Sequence, residues 1–189
     1  MKVALRETGI RDLVVVENDS FSDPRGFFVE VFNAAEFDKA GLNISIVQSN
    51  HSGSVRGVLR GLHFQWQPPM GKLMRVSRGS AFLVAVDIRV GSPTLGKHFG
   101  IEVSEQNRLQ VYAPAGFARG FCVTSDYAEV QYLCTGTYNN AAESGISYCD
   151  PALGIDWPDV GERIISAKDA KAQTLAEWLA RPESRYFSY

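Results

Sequence analysis

Histidine is scarce in this sequence: His51, His63 and His98 are the only three in 189 residues. A small β-barrel metal site usually offers two histidines one residue apart, then a carboxylate and a further histidine. Here the position two after His63 is Gln65, and only His98 follows. One imidazole cannot close a site of nitrogen, oxygen or sulfur ligands, so no metal is expected. Cysteine is equally sparse. Cys122, Cys134 and Cys149 are odd in number and lie far apart without a CxxC pair, which reads as reduced thiols in a cytosolic protein. No apolar run approaches the roughly 18 residues of a membrane span. The start, MKVALRETGIRDL, lacks a sustained apolar stretch and carries Arg6, Glu7, Arg11 and Asp12, so a secretory signal is not expected. An excess of one charge is missing too: 19 Lys and Arg oppose 21 Asp and Glu, for a net charge of -2. That excludes a strongly basic stripe, and with it nucleic acid as an expected partner. Small anions remain open, because local arginines act whatever the net charge.

What is present is a core. Hydrophobic residues make up 45% of the chain, and the length suits one domain over residues 1–189. Glycine and proline are scattered as turn punctuation. Between them lie FFVEVF (27–32), ISIVQSN (44–50), LHFQW (62–66), KLMRVS (72–77), AFLVAVDIR (81–89), RLQVYA (108–113) and AEVQYLC (128–134), all rich in aromatic and β-branched residues. Many short strands with frequent turns predict an all-β sandwich or barrel, with its core over about residues 24–150. Two helices interrupt it. Asn33 with Glu36 makes a capping-box-like start that Gly41 would stop. A C-terminal helical segment over about 165–180 would use Ser166 and Asp169 as its cap, with Leu175, Trp178 and Leu179 on one face.

The candidate chemistry is thin but concentrated. His63 sits among apolar strand residues, where a histidine is a general base, a ligand or a hydrogen-bonded core residue. Lys72 opens a strand; it is a surface lysine, or an ammonium aimed at a developing oxyanion. Tyr132 and Tyr138 lie on or just after a long strand, as core aromatics or as proton donors facing a pocket. Asp169 caps the last helix or orients His63. Arg60 and Arg119 are each packed between glycine and apolar residues, where a guanidinium asks for an anionic partner such as a diphosphate.

The ordered run of DPRGFFVEVF (23–32), QSNHSGSVRGVLRGLHFQ (48–65), GKLMRVSRGSAFLVAVDIRVGSPTLGK (71–97), YAPAGFARGF (112–121), YLCTGTYN (132–139), CDPALGIDWP (149–158) and ISAKDA (165–170) resembles the dTDP-4-dehydrorhamnose 3,5-epimerase family. The resemblance implies a double-stranded β-helix, the cupin-like jelly roll. It implies a homodimer with an exchanged N-terminal strand, and cofactor-independent epimerisation at C3, C5 or both of a nucleotide-linked 4-keto-6-deoxyhexose through an enolate. It implies His63 as the base with Asp169 as its partner, Tyr132 as the acid on the opposite face, and Lys72 at the C4 oxygen. Arg25, Glu30, Gln48, Ser49, Asn50, Arg60, Glu143 and Lys168 match nucleotide- or diphosphate-contacting positions, and Tyr138 the position that stacks on the base. In such dimers Arg25 and Glu30 reach the neighbour's site.

One departure stands out: the family usually has histidine where this chain has Arg119. Arginine is longer and cannot serve as a neutral acceptor. The expectation is that Arg119 alters contacts near the sugar–phosphate junction. Three rival readings stand beside the two-centre epimerase: a single-centre epimerase of a related nucleotide sugar, a non-catalytic sugar-nucleotide binding protein, and a metal-dependent cupin oxygenase.

Overall fold

The computed structural model describes residues 2–189. Along the chain come β1 (Val3–Glu7), β2 (Val14–Asn18), β3 (Ser20–Asp23), β4 (Gly26–Val29), α1 (Ala34–Lys39), β5 (Gln48–Val55) and β6 (Val58–Gln65). There follow β7 (Lys72–Arg78), β8 (Ser80–Asp87), β9 (His98–Ser104), β10 (Gln110–Ala113), β11 (Phe117–Val123) and β12 (Tyr127–Cys134). The chain closes with β13 (Glu143–Gly145), β14 (Ile164–Ile165) and α2 (Leu175–Leu179), among short 3-10 turns. One sheet has the order β1-β2-β10-β7-β12-β5 and the second β13-β6-β11-β8-β9, with β14 added beside β6; β3 and β4 form a separate hairpin. This is the expected all-β jelly roll.

Alternation along the strands makes three apolar layers. Between the sheets, Met74, Val76, Val111 and Val130 of the first meet Leu83, Val103, Phe117 and Phe121 of the second. The outer face of the second sheet presents Leu62, Phe64 and Trp66 to the C-terminal segment, where Trp178 is fully buried 4.5 Å from the Phe64 ring. The outer face of the first sheet is covered by α1 through Phe37, against Leu73 and Val16. Removing a side chain as large as Trp178 from such a layer costs about 3–5 kcal/mol.

Several expectations shift. The sheet begins well before residue 24, since β1 and β2 belong to it. FFVEVF is a strand only to Val29, and ISIVQSN only from Gln48. α1 forms where expected, with Asn33 accepting from the Ala35 and Glu36 amides. Glu36 does not complete the box; it pairs with Lys39 at 2.7 Å. The C-terminal helix is not continuous over 165–180. A 3-10 turn at Asp169–Lys171 is followed by extended backbone at Ala172, and α2 starts afresh from Thr174, whose capping box with Glu177 is complete. Asp169 is no helix cap because its carboxylate is engaged elsewhere.

The pairing of β6 with β11 carries the irregularity that matters. Arg119 faces His63 and Phe121 faces Arg60, so three steps on β6 match two on β11. This bulge puts Arg60 and His63 on the same side of the strand, where regular alternation would separate them. Glycine permits it. A Cβ on Gly61, at φ 130, would lie 2.6 Å from the Gly120 Cα.

Candidate active site

β7 and β12 pair in antiparallel register, with Cys134 opposite Lys72 and Tyr132 opposite Met74; across β5, Tyr132 faces Asn50. The inward residues of these strands meet His63 and Gln65 of β6. Together they enclose a cavity of about 120 Å³ lined by His63, Lys72 and Tyr132, with Gln48, Asn50, Tyr138 and Glu143 at its wall. A second hollow of about 350 Å³ adjoins it at His63, lined by Arg60, Lys168 and Asp169. A larger hollow, about 840 Å³ beside the β1–β2 hairpin, carries none of the candidate residues.

His63 Nε2 lies 2.6 Å from Asp169 Oδ1, and the other carboxylate oxygen accepts from the Gly61 amide at 3.3 Å. Burial opposes ionisation of Asp169, but the hydrogen bond and charge of His63, then the Gly61 amide, hold its pKa below the ordinary value. An ionised Asp169 fixes the proton on Nε2, which leaves Nδ1 with its lone pair as the basic atom. Tyr132 is the reverse case: burial raises its pKa, so it keeps its proton. The Lys72 ammonium stands 4.7 Å from the Tyr132 ring centre, and its pKa falls to about 8, by burial first and by Arg119 second. A base, an acid and a cation therefore share one compartment.

At the rim, Tyr138 donates its hydroxyl to Glu143 at 2.8 Å and its amide to Gln48 at 2.9 Å, and Lys168 pairs with Glu143. Burial works against the Glu143 carboxylate, but hydrogen bonds from Lys168 and Tyr138 bring its pKa below the usual range. Gln65, not singled out from the sequence, is buried and pins the loop that carries Tyr138 through the Thr137 carbonyl and the Asn139 amide. Its spacing of two from His63, which set it on the same face, was the available signal.

The remaining candidates do not line the cavity of His63, Lys72 and Tyr132. Ser49 points out of the barrel, since its neighbours Gln48 and Asn50 point in. Arg60 is exposed and bonded to Ser54 at 3.1 Å, so it is not the packed guanidinium expected. Arg25, 91% exposed, pairs with Asp23 on the β3–β4 hairpin, and Glu30 follows that hairpin; neither lines the cavity of its own chain. Arg119 is buried and lines neither of the two hollows that meet at His63. Among the described residues no group of three His, Cys, Asp or Glu side chains converges on a point that could hold a metal ion, and no helix is long and apolar enough to cross a membrane.

Fold and site together define a cupin-like jelly roll whose cavity brings an imidazole, a phenol and an ammonium together. Residues 7–177 match the family described as dTDP-4-dehydrorhamnose 3,5-epimerase, and the chain belongs to that family. It is 47% identical over 173 residues to the dTDP-4-dehydrorhamnose 3,5-epimerase of Methanothermobacter thermautotrophicus, covering 90% of this chain and 94% of the relative. It is 42% identical to the dTDP-4-dehydrorhamnose 3-epimerase of Streptomyces niveus, over 92% of this chain and 84% of the relative. The crystal structure of dTDP-6-deoxy-D-glucose-3,5-epimerase from Legionella pneumophila, in complex with dTDP-4-keto-L-rhamnose, superposes with a TM-score of 0.91 at 43% identity, covering 96% of each chain. The protein is a sugar-nucleotide epimerase.

Proposed function

We propose that the chain inverts C3 and C5 of a dTDP-linked 4-keto-6-deoxyhexose by successive proton transfers. A proton α to a ketone is only moderately acidic, so its removal needs a base and a stabilised oxyanion together. His63 Nδ1 takes the proton, with Asp169 balancing the imidazolium. Lys72 holds the C4 oxygen as it becomes an enolate. Tyr132 returns a proton on the opposite face. Gln48, Asn50, Arg60, Glu143 and Lys168 bind the nucleotide and diphosphate, and Tyr138 stacks on the base. The observation that carries this reading is that His63, Lys72 and Tyr132 line one cavity while Asp169 supports the imidazole from behind.

The same reading includes a homodimer with an exchanged N-terminal segment. Among the described residues the β3–β4 hairpin pairs with no other strand, and it exposes Phe21, Phe27 and Phe28 at 60, 54 and 65%. β5 is left as a sheet edge beside the cavity. A hairpin crossing to a partner buries these rings and delivers Arg25 and Glu30 to the partner's site. The compartment is the cytoplasm, in keeping with three free thiols.

Inversion of C3 alone is the second reading, favoured by the likeness to the Streptomyces niveus 3-epimerase. Proton–deuterium exchange of dTDP-4-keto-6-deoxyglucose in D₂O, followed by NMR, separates the two. Exchange at both C3 and C5 is expected; exchange at C3 alone establishes the second reading, and binding without exchange removes both.

A further inference from the structure

Arg119 sits in the middle of β11, between Phe117 and Phe121, with its side chain entering the apolar layer between the sheets. It is 3% exposed. One terminal nitrogen donates to the Met70 carbonyl at 2.8 Å; Nε and the other terminal nitrogen have no partner. The groups that act on its charge are the Cys134 thiol and the Tyr112 hydroxyl, neither of them a carboxylate. Buried polar groups are nearly always satisfied, and a lone buried cation lowers stability. An apolar residue here would complete the row of Phe117 and Phe121. The fold therefore keeps Arg119 against its own stability.

Its position says what the charge is near. Across the sheet it faces His63, and the carbonyl it holds belongs to Met70, a cavity residue two positions before Lys72. The titratable or charged groups around Lys72 are Arg119 on β11, Tyr132 and Cys134 on β12, Glu143 on β13 and His63 on β6. We propose that Arg119 is a positioning residue for the epimerisation: an uncompensated cation behind Lys72 that prepares the cavity for the enolate's negative charge. This rests on the reading of Lys72 as the cation at the enolate oxygen. A fixed charge in a water-poor site acts on a developing oxyanion without reorganising at the moment of reaction. Burial lowers the pKa of Arg119 itself to about 10, which still leaves it charged while Lys72, at about 8, titrates.

The sign follows. Lys72 is an ammonium below its pKa, so turnover falls on the alkaline side as that proton leaves. Removing the Arg119 charge lets Lys72 keep its proton to higher pH, and removes part of the field on the enolate. The experiment is the pH profile of kcat for wild type, R119M, R119K and K72M. Acylation of Lys72 by acetic anhydride, mapped by mass spectrometry across the same pH range, reads the ammonium without turnover.

For R119M we expect kcat near pH 7 to fall roughly ten-fold with KM changed less than about three-fold. The ratio of kcat at about pH 9 to that at about pH 7 rises roughly two- to three-fold, and Lys72 acylation begins at higher pH. Its Tm rises on the order of 3 °C, because a buried charge is gone. R119K keeps the wild-type alkaline limb. Should R119M not fold, R119Q, which can keep a bond to the Met70 carbonyl, carries the same readouts. An alkaline limb and an acylation onset unmoved in R119M, with K72M inactive, overturn the role of Arg119 while leaving Lys72 in place. A K72M protein that turns over like wild type removes the Lys72 reading first.

Discussion

Arg89, two residues past the end of β8, and Arg119, in the middle of β11, are both buried, yet their surroundings are opposite. Arg89 bonds to Asp87 through Nε and one terminal nitrogen, both at 2.9 Å, to Asp12 at 2.8 Å and to the Arg11 carbonyl at 3.1 Å. The ring centres of Phe117 and Tyr189 lie 4.7 and 5.0 Å from its guanidinium carbon. Asp87 accepts further bonds from Ser92 and Thr94. Four of the five guanidinium N–H donors are thus taken up within the protein. Arg119 makes one bond and leaves Nε and one terminal nitrogen without a partner. The difference separates a charge that ties the barrel together from one held ready for charge that appears only during reaction.

The comparison can be broken at either end. The largest effect is expected at the working end: His63→Ala should cut solvent exchange on the order of ten-thousand-fold, about 5.4 kcal/mol of barrier, with nucleotide binding retained by calorimetry. Next is the structural end. Asp87→Ala leaves Arg89 short of its principal partner and should cost about 3–5 kcal/mol in denaturant unfolding, with kcat unchanged where the protein is folded. The pH dependence has a definite sign. Burial opposes ionisation of Asp87, but the hydrogen bonds from Arg89, Ser92 and Thr94 prevail and depress its pKa. Its contribution is therefore complete above the ordinary carboxylate pKa of about 4 and is lost as the pH falls through the depressed folded-state value. The variant should lack that part of the acid unfolding curve.

A smaller effect sharpens the roles inside the cavity. Tyr132→Phe should reduce inversion about a hundred-fold, ~2.7 kcal/mol, while exchange is spared, because the base still acts and the opposite-face acid is gone. Inversion at the normal rate would show that another group returns the proton. The smallest lies away from both arginines. Thr174→Ala removes the cap of α2 and should cost about 1 kcal/mol without touching turnover.

The sequence showed most of the site and less of the frame. His63, Lys72 and Tyr132 were legible through the motifs that carry the family resemblance; local pattern alone left each of them between a structural and a catalytic role. β11 was not read as a strand. FARGFCV is buried on both faces, by the layer between the sheets on one side and the C-terminal segment on the other, so it has no polar alternation to read. The apolar spacing of Leu175, Trp178 and Leu179 gave the right face of α2, but its start was misplaced. A local cap and a long-range partner for Asp169 look the same in one dimension, and the partner is 106 residues away. Ser49 was included with Gln48 and Asn50 because all three match one motif, although a strand sends the middle residue the other way. Arg60 seemed packed by its neighbours, and only the bulge opposite Gly120 shows how it reaches the same face as His63.

The central claim is that an imidazole and a phenol in one cavity remove and return the same carbon's proton. Deuterium incorporation and product configuration, followed together by NMR in D₂O for wild type and Tyr132→Phe, test it directly. The account predicts that wild type couples the two, while the variant exchanges the proton and releases mostly uninverted sugar. Loss of exchange and inversion in equal measure in the variant would contradict it.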